Sequence, residues 1–210
     1  CLCVAVGAIS GHTLTGFAQG DILPQSIWNL KHKPASTNPE GMVYSSGLNK
    51  WIDIYLTSGT GANTASVNGG TISDTRNWMD FVDDYASVGK RMLTDFEFQR
   101  AAAGSNEETN ISGSASPGTT GGHVDTAGRR MLSFIGCEDC CGVVWQWLLD
   151  QSYQNDATYS STWEYYDLPG AKGSLYRQST TGDVKLRAGG NWSDGSNCGS
   201  RARYAHSCRW

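Results

Sequence analysis

Two neighbouring stretches of helical periodicity constrain the fold of this chain more than any other feature. The first stretch has apolar residues at the i, i+3, i+4 and i+7 positions of one helix face and ends at Gly89; these residues are Trp78, Phe81, Val82 and Tyr85. The second stretch begins at Thr94, which forms with Glu97 the Thr-x-x-Glu pattern of a helix capping box. The sequence therefore predicts two consecutive amphipathic helices, with the second ending near Gly104.

Strand-like segments lie on both sides of this helix pair. Residues 42–44 and 51–56 show the alternation of a hairpin with two half-buried strands, and residues 131–135 and 142–149 are apolar enough for core strands. Residues 105–122 contain mostly Gly, Ser, Thr and Asn, which predicts a long surface loop that is too polar to pack.

The order of these elements indicates the fold class. Helices come early and short strands come late, without a repeated alternation of strand and helix, which favours an α+β fold over a doubly wound sheet. An aromatic loop around Trp163 is expected between the late strands. Residues 1–25 are predicted to be a leader or connecting segment, and residues 26–210 are predicted to form one domain.

Composition excludes several classes of protein. Eight Trp, nine Tyr and five Phe among 210 residues supply a core, so disorder is not expected. The formal net charge of −4 gives no electrostatic reason to bind nucleic acid or an anionic membrane. The apolar runs are far shorter than the roughly 20 residues of a transmembrane helix, so no membrane insertion is predicted.

The chain has seven cysteines, and their pattern leaves several interpretations open. They are Cys1, Cys3, Cys137, Cys140, Cys141, Cys198 and Cys208. Cys137 and Cys140 form one C-x-x-C, but a second close pair that would complete a zinc site is missing. Cys140 and Cys141 are therefore expected to be core residues, with a disulfide to Cys198 as the alternative outside a reducing compartment.

Three segments carry a resemblance to a known family. They are residues 89–98 (GKRMLTDFEF), residues 142–147 (GVVWQW) and residues 186–192 (LRAGGNW), the last followed by residues 199–203 (GSRAR). They resemble, in the same order, the second-helix, strand and C-terminal signatures of the formylglycine-generating-enzyme branch of C-type-lectin-like folds. The resemblance implies a C-type-lectin-like fold, with two helices packed on short, mainly antiparallel strands.

Within that superfamily, residues 190–201 (GNWSDGSNCGSR) resemble the variable proteins of diversity-generating retroelements and phage receptor-binding tail proteins of the major-tropism-determinant type. In such proteins a rigid scaffold holds a C-terminal segment whose side chains vary and form a ligand-binding face. The corresponding segment here is residues 186–210, and the resemblance assigns Trp192, Gly199 and Arg201 to the scaffold.

Two chemical alternatives follow from the same resemblance. An oxidase of the formylglycine-generating type needs a close pair of cysteines after the two glycines, but here Cys198 and Cys208 are separated by nine residues. Calcium is suggested by the tripeptide 192–194, which is similar to the Trp-Asn-Asp of calcium-binding lectins, but one carboxylate is too few. No enzymatic activity, catalytic residue, metal-binding residue or cofactor is therefore predicted.

The terminal segment suits binding. Short polar side chains combined with aromatic and cationic ones resemble an antibody paratope, in which Tyr gives rigid contact area and Ser and Asn give adaptable hydrogen bonds. The predicted ligand-binding residues are Asn191, Ser193, Asp194, Ser196, Asn197, Arg203, Tyr204 and His206.

The predicted function is attachment of a phage tail or virion to a host-surface protein or glycan through this segment. Other virion proteins are expected as partners, and a homo-oligomer, with a trimer favoured, is expected because weak sites gain from avidity. The predicted location is the virion, outside the cell. A structural protein that decorates the virion is the further alternative.

Overall fold

The computed structural model describes residues 2–5, 11, 13–14, 16–27, 35–36, 38–156, 162–165 and 173–207 of the chain. The helices are α1 (Trp78–Ser87) and α2 (Asp95–Ala102). The strands are β1 (Leu2–Val4), β2 (Ile22–Ile27), β3 (Met42–Ser45), β4 (Lys50–Asp53), β5 (Thr57–Ser58), β6 (Ala65–Ser66), β7 (Gln146–Asp156), β8 (Thr162–Tyr165), β9 (Ser174–Arg177), β10 (Thr180–Gly189) and β11 (Gly199–Ser207).

The late strands form one five-stranded sheet with the order β7-β10-β11-β9-β8. Its neighbouring strands are antiparallel except for β11 and β9, which are parallel. The earlier strands form three two-stranded antiparallel sheets, β1–β2, β3–β4 and β5–β6. The α+β class with mainly antiparallel strands is confirmed.

Both predicted helices are present, and local hydrogen bonds define where they begin. Asn77 caps α1 in a capping box with Asp80, and Thr94 caps α2 in the predicted box with Glu97. Gly89 follows α1 with φ of +68°, a left-handed conformation that glycine adopts without strain. The hairpin predicted from residues 42–44 and 51–56 is confirmed as β3 and β4.

The main core lies between α2 and one face of the large sheet. Phe98 and Ala102 of α2 pack with Leu148 of β7, Ala188 of β10 and Ile52 of β4. A second apolar cluster, around Met131 and Val143, joins the loops between α2 and β7 to Leu56 and Ile72, which precede α1. This face of the sheet, which we call the lower face, is thereby buried. Any site on the sheet has to use the opposite, upper face.

Three predictions of local structure are wrong. Residues 131–135 contribute to the core but form no strand, since their only ladder contact is a single bridge between Leu132 and Glu138. The core strand predicted at residues 142–149 begins only at Gln146. The aromatic loop around Trp163 is strand β8, because pairing with β9 supplies the hydrogen bonds that its sequence does not announce.

The segment 105–122 is a loop, but it is not confined to the surface. Asn106, Asn110 and Thr120 are buried. Burial is tolerated because their polar atoms are bonded: Asn106 donates to the carbonyl of Thr109 at 2.6 Å, and the amide of Gly70 donates to the Thr120 hydroxyl at 3.0 Å. Polar composition was therefore a poor guide to exposure in this segment.

The N-terminal residues contact the rest of the fold. Strand β1 pairs with β2 across the predicted boundary at residue 25. The hydroxyl of Thr13 donates to the carbonyl of Leu132 at 2.5 Å and accepts from its amide at 2.9 Å. The division into a segment 1–25 and a domain 26–210 stays a prediction.

The described cysteine side chains are buried and unlinked. Cys137, Cys140, Cys141 and Cys198 are free thiols, so the alternative disulfide to Cys198 is not formed. Cys1 and Cys208 lie outside the described residues. None of the helices in the described part of the chain is long and apolar enough to cross a bilayer.

Candidate binding face

The upper face of the large sheet carries one planar side chain from each of its five strands. In sheet order these are Trp147, Arg187, Tyr204, Tyr176 and Trp163, and each is the direct register partner of the next. Directly paired residues point to the same face of a sheet, so the five form a continuous line across it. We call this line the cross-strand row.

The members of the cross-strand row stack on one another. The rings of Tyr176 and Tyr204 are nearly parallel, with centroids 4.7 Å apart, and Trp163 meets Tyr176 edge-on at 5.3 Å. The guanidinium of Arg187 lies between Tyr204 and Trp147, 4.5 and 4.8 Å from their ring centroids. Such contacts fix the side chains in place, so little conformational entropy is lost when a ligand docks on them.

Trp145 links the cross-strand row to the loop formed by residues 191–198, which we call the 191–198 loop. Its ring lies 6.1 Å from Trp163 and 5.5 Å from Tyr204, and its side chain is hydrogen-bonded to the Asp194 carboxylate. That carboxylate also accepts from the amide of Asn191 at 2.7 Å. Partial burial nevertheless raises the pKa of Asp194.

Internal hydrogen bonds hold the shape of the 191–198 loop. The side-chain oxygen of Asn191 accepts from the amide of Ser193 at 2.8 Å and from its hydroxyl at 2.9 Å. The side chain of Asn110 donates to the carbonyl of Trp192, and the Cys198 thiol to that of Asn191. The loop is thereby fixed to the core beneath it.

The predicted binding residues of this loop divide into two groups. Ser193 and Ser196 are exposed at its surface, whereas Asn191 and Asp194 use their side chains to hold the loop. Asn197 is half-buried, and its carbonyl accepts from the Ser174 hydroxyl of β9 at 3.1 Å. All five belong to the loop that Trp145 and Ser174 connect to the sheet, and of the five only the two serines are exposed.

Arg203 does not lie on this face. Its side chain is 4% exposed on the lower face of the sheet, where it is paired with Asp95 of α2 and lies 5.2 Å from the ring centroid of Phe98. It also donates to the carbonyls of Ser200 and Ala202, at 3.0 and 2.7 Å. Arg203 is therefore a core residue, because alternation along β11 sends it away from Tyr204.

Arg201, two residues before Arg203, is exposed instead of buried. Strand β11 has a register irregularity between the Gly189–Gly199 and Ala188–Arg203 pairs, so residues 200–202 bulge out of the ladder. Arg201, which the resemblance assigned to the scaffold, is exposed on this bulge. His206 of β11 is the register partner of Lys185 of β10. Tyr204 is half-buried in the cross-strand row, and burial raises the pKa of its hydroxyl.

Five residues of this face were not predicted as binding residues: Trp145, Trp147, Trp163, Tyr176 and Arg187. The i, i+2 spacing of Trp145 and Trp147 was a usable signal, since residues with this spacing at a strand point to the same side of the sheet, although Trp145 itself directly precedes β7. The register that brings Trp163 and Tyr176 to the same line joins residues that are distant in sequence. Only the paired strands reveal it.

The residues of this face do not fit a calcium site. Asp194 supplies one carboxylate, and it already accepts hydrogen bonds from Asn191 and Trp145. Within the described ranges, no three His, Cys, Asp or Glu side chains come together in a way that could hold a metal ion. Calcium needs six to eight oxygen ligands, which this loop does not offer.

The two helices, the mainly antiparallel sheet and the loop beside it define a C-type-lectin-like domain with a candidate ligand-binding face. The chain is 28% identical over 221 residues to the tail fiber receptor-binding protein of Bordetella phage BPP-1, an alignment that covers 94% of this chain and 55% of that protein. No protein-family model matches the chain.

Comparison with solved structures finds similarity to the same kind of phage protein. The Major Tropism Determinant M1 variant superposes with a TM-score of 0.62 at 26% identity, and the U1 variant with 0.61 at 27%; each match covers 98% of this chain and 58% of the other. The resemblance to phage tropism determinants is confirmed. The chain spans a little more than half the length of these relatives.

Proposed function

We propose that this chain is the receptor-binding part of a phage tail protein, and that it attaches the virion to a host-surface molecule. The observation that carries the proposal is the continuous face formed by the cross-strand row and the 191–198 loop. The names of the relatives, a tail fiber receptor-binding protein and tropism determinants, support the same function.

The chemistry of this face supports binding. Trp, Tyr and Arg are the residues that most often dominate binding energy at interfaces, and here they are held in a pre-ordered stack. Ser193 and Ser196, exposed on the 191–198 loop, offer hydrogen-bond donors and acceptors that adapt to a partner. Rigid contact area next to adaptable polar groups is the combination found in binding loops.

We propose that the protein is non-enzymatic. The oxidase alternative needs reactive thiolates, but Cys198 is buried and desolvation raises the pKa of its thiol to about 12. The relatives by sequence and by fold are named for receptor binding or tropism. No observation favours a purely decorative virion protein.

The proposed partners are a host-surface protein or glycan and other virion proteins, and the proposed location is the virion. We further propose a homo-oligomer, with a trimer favoured, because several weak sites on one particle bind together more strongly than each does alone. Light scattering of the purified protein gives the mass of the assembly. A monomer at micromolar concentration contradicts this part of the proposal.

Replacement of Tyr204 by alanine tests the binding face. Tyr204 stands in the middle of the row, so Tyr204→Ala is expected to lower binding of the labelled protein to host cells about 30-fold, the effect of losing one central contact. Phe96→Ala is the matched control, because Phe96 is an aromatic residue that is 65% exposed on α2, on the other side of the sheet.

A second variant is expected to have little effect on folding. Ser193 is exposed, and its hydroxyl donates to Asn191 of the same loop, so Ser193→Trp is expected to block docking and to change the melting temperature only slightly. Particles that carry either variant are compared with wild type for adsorption to a panel of bacterial strains. Unchanged adsorption with both variants contradicts the proposed face.

A further inference from the structure

A large open cleft adjoins the candidate binding face. It has a volume of about 1230 Å³ and lies between β4, α1, the turn after α1, and the start of β7. Trp147 of the cross-strand row forms part of its wall, as do Trp51 of β4 and Tyr85 of α1. Concave sites of this size, with aromatic walls and a few polar groups, are typical of ligand-binding pockets.

An ion pair presents its polar atoms to this cleft. The ammonium of Lys90 lies 2.7 Å from the carboxylate of Asp53, and the two side chains are 21% and 22% exposed. The pair therefore offers a donor and an acceptor side by side. Burial is the largest effect on the Asp53 carboxyl and raises its pKa, which reflects how far this pair is withdrawn from water.

Two arginines on the wall are paired within the protein. Arg76 pairs with the buried Asp84 at 2.8 Å, and Arg91 pairs with Glu97 at 2.7 Å. The Tyr85 hydroxyl is bonded to Thr57, and burial raises its pKa to about 12, so it stays uncharged. A neutral polar ligand therefore finds both donors and acceptors on this part of the wall.

We propose that this cleft binds a neutral, hydroxyl-rich sugar. Each hydroxyl of a sugar can donate and accept at once, and two adjacent hydroxyls match the donor and acceptor of the Lys90–Asp53 pair. The apolar faces of the sugar ring pack against the aromatic walls formed by Trp51 and Trp147. Asn191 and Trp192 of the 191–198 loop also line this cleft, but sugar binding there does not depend on the proposed receptor binding.

The experiment titrates the purified full chain with D-glucose, D-mannose, D-galactose and N-acetyl-D-glucosamine, and follows the indole N–H signals by NMR. At least one neutral sugar is expected to give a saturable shift of the Trp51 and Trp147 signals, with a Kd on the order of 1 mM. The signal of Trp163, at the far end of the cross-strand row, is expected to stay in place.

Variants of the ion pair locate the site. The double variant Asp53→Asn, Lys90→Met removes both charges together and is expected to weaken sugar binding at least about tenfold. The matched control is Glu164→Gln, Arg177→Met, which removes an ion pair of 2.8 Å between β8 and β9. Circular dichroism and melting curves verify that both double variants fold.

Several results overturn the inference. They are the absence of a saturable shift with any neutral sugar, an equal loss of binding in both double variants, and a shift confined to Trp163. Preferential binding of N-acetylneuraminic acid, used as the charged comparison, also overturns it. If the sugar binds as expected while Tyr204→Ala leaves cell binding intact, the receptor proposal fails and this inference stands.

Discussion

Arg187 and Arg203 lie on neighbouring strands but serve opposite faces of one sheet. Arg203 is directed to the lower face, where Asp95 and two backbone carbonyls take up its donors. Arg187 is directed to the upper face, where it lies flat between the rings of Trp147 and Tyr204. The same residue type therefore contributes to the core on one face and to the proposed binding surface on the other.

The contrast between the faces concerns how their contacts are satisfied. On the lower face, specific hydrogen bonds and close packing leave little freedom for change. On the upper face, planar groups stack on each other while their edges stay partly exposed. Substitutions on the lower face are therefore expected to change folding stability, and those on the upper face to change binding.

The largest loss of stability is expected from a substitution at Gly189, the last residue of β10. Gly189 has φ of +94°, and a Cβ there would lie 2.5 Å from the backbone carbonyl of Cys140. Gly189→Ala combines an unfavourable backbone conformation with a clash that no side chain can relieve, so we expect a loss of about 3–4 kcal/mol.

Gly182 is the matched control for this substitution. It lies in the same strand with φ of +131°, but no atom lies within 4 Å of its Cβ position. Gly182→Ala is expected to cost only about 1 kcal/mol, the backbone part of the effect. Urea unfolding compares the two, and equal losses contradict close packing as the cause.

Removal of the lower arginine is expected to have the next largest effect. Arg203→Met keeps much of the side-chain volume but breaks the contacts with Asp95 and the two carbonyls. The expected loss is about 2–3 kcal/mol, less than for a fully buried pair because Asp95 is 36% exposed and regains water. Urea unfolding at pH 7 measures it, and a loss below about 1 kcal/mol contradicts the assignment of Arg203 to the core.

The acid dependence of stability separates two carboxyls on the two sides of the sheet. Hydrogen bonds from Arg91 lower the pKa of Glu97, beneath the sheet, to about 2. Its stabilisation is therefore fully present above the unfolded value of 4.5 and is lost as pH falls through about 2. Glu97→Gln is expected to cost about 1–2 kcal/mol at pH 7, since Arg91 is partly solvated, and progressively less as pH falls from 4.5 to 2.

The pKa of Asp194, above the sheet, is shifted in the opposite direction. Burial raises its pKa, so the charged carboxylate is a burden on the folded state that is present above the folded pKa and disappears below the unfolded value of 3.8. Asp194→Asn is therefore expected to be neutral or stabilising at pH 7. Unfolding curves for both variants between pH 2 and 7 test the pair, and parallel profiles contradict the assignment.

The smallest effect on stability is expected from the upper arginine. Arg187→Met removes a partly exposed cation from between two rings, which is worth about 0.5–1 kcal/mol. Binding to host cells is expected to fall about tenfold, because the row loses the planar group that joins Trp147 to Tyr204. A large loss of stability with unchanged binding would reverse the roles given to the two faces.

Part of this picture was accessible from the sequence because its causes are local. The capping residues Asn77 and Thr94 and the spacing of apolar residues after them depend only on a few neighbours in the chain, so both helices could be predicted. The class of fold and the resemblance to phage tropism determinants also followed from short segments. Ser193 and Ser196, which were predicted as binding residues, are exposed, and their role in binding stays a prediction.

The errors concern contacts between distant residues. Arg203 and Tyr204 are adjacent in sequence, and nothing local shows which of them faces α2. Asn106 and Thr120 lie in a segment whose composition predicts a solvated loop, but the carbonyls of nearby Thr109 and distant Val67 accept their hydrogen bonds and allow their burial. Trp163 joins the cross-strand row only because β8 pairs with β9.

Two helices, an aromatic β-rich C-terminal half and the likeness to receptor-binding tail proteins can be deduced from the amino-acid sequence, since they depend on local patterns and on short motifs. The composition of the proposed binding face depends instead on strand register. Each residue of a strand faces one side or the other, and pairing across five strands places Trp147, Arg187, Tyr204, Tyr176 and Trp163 in one line.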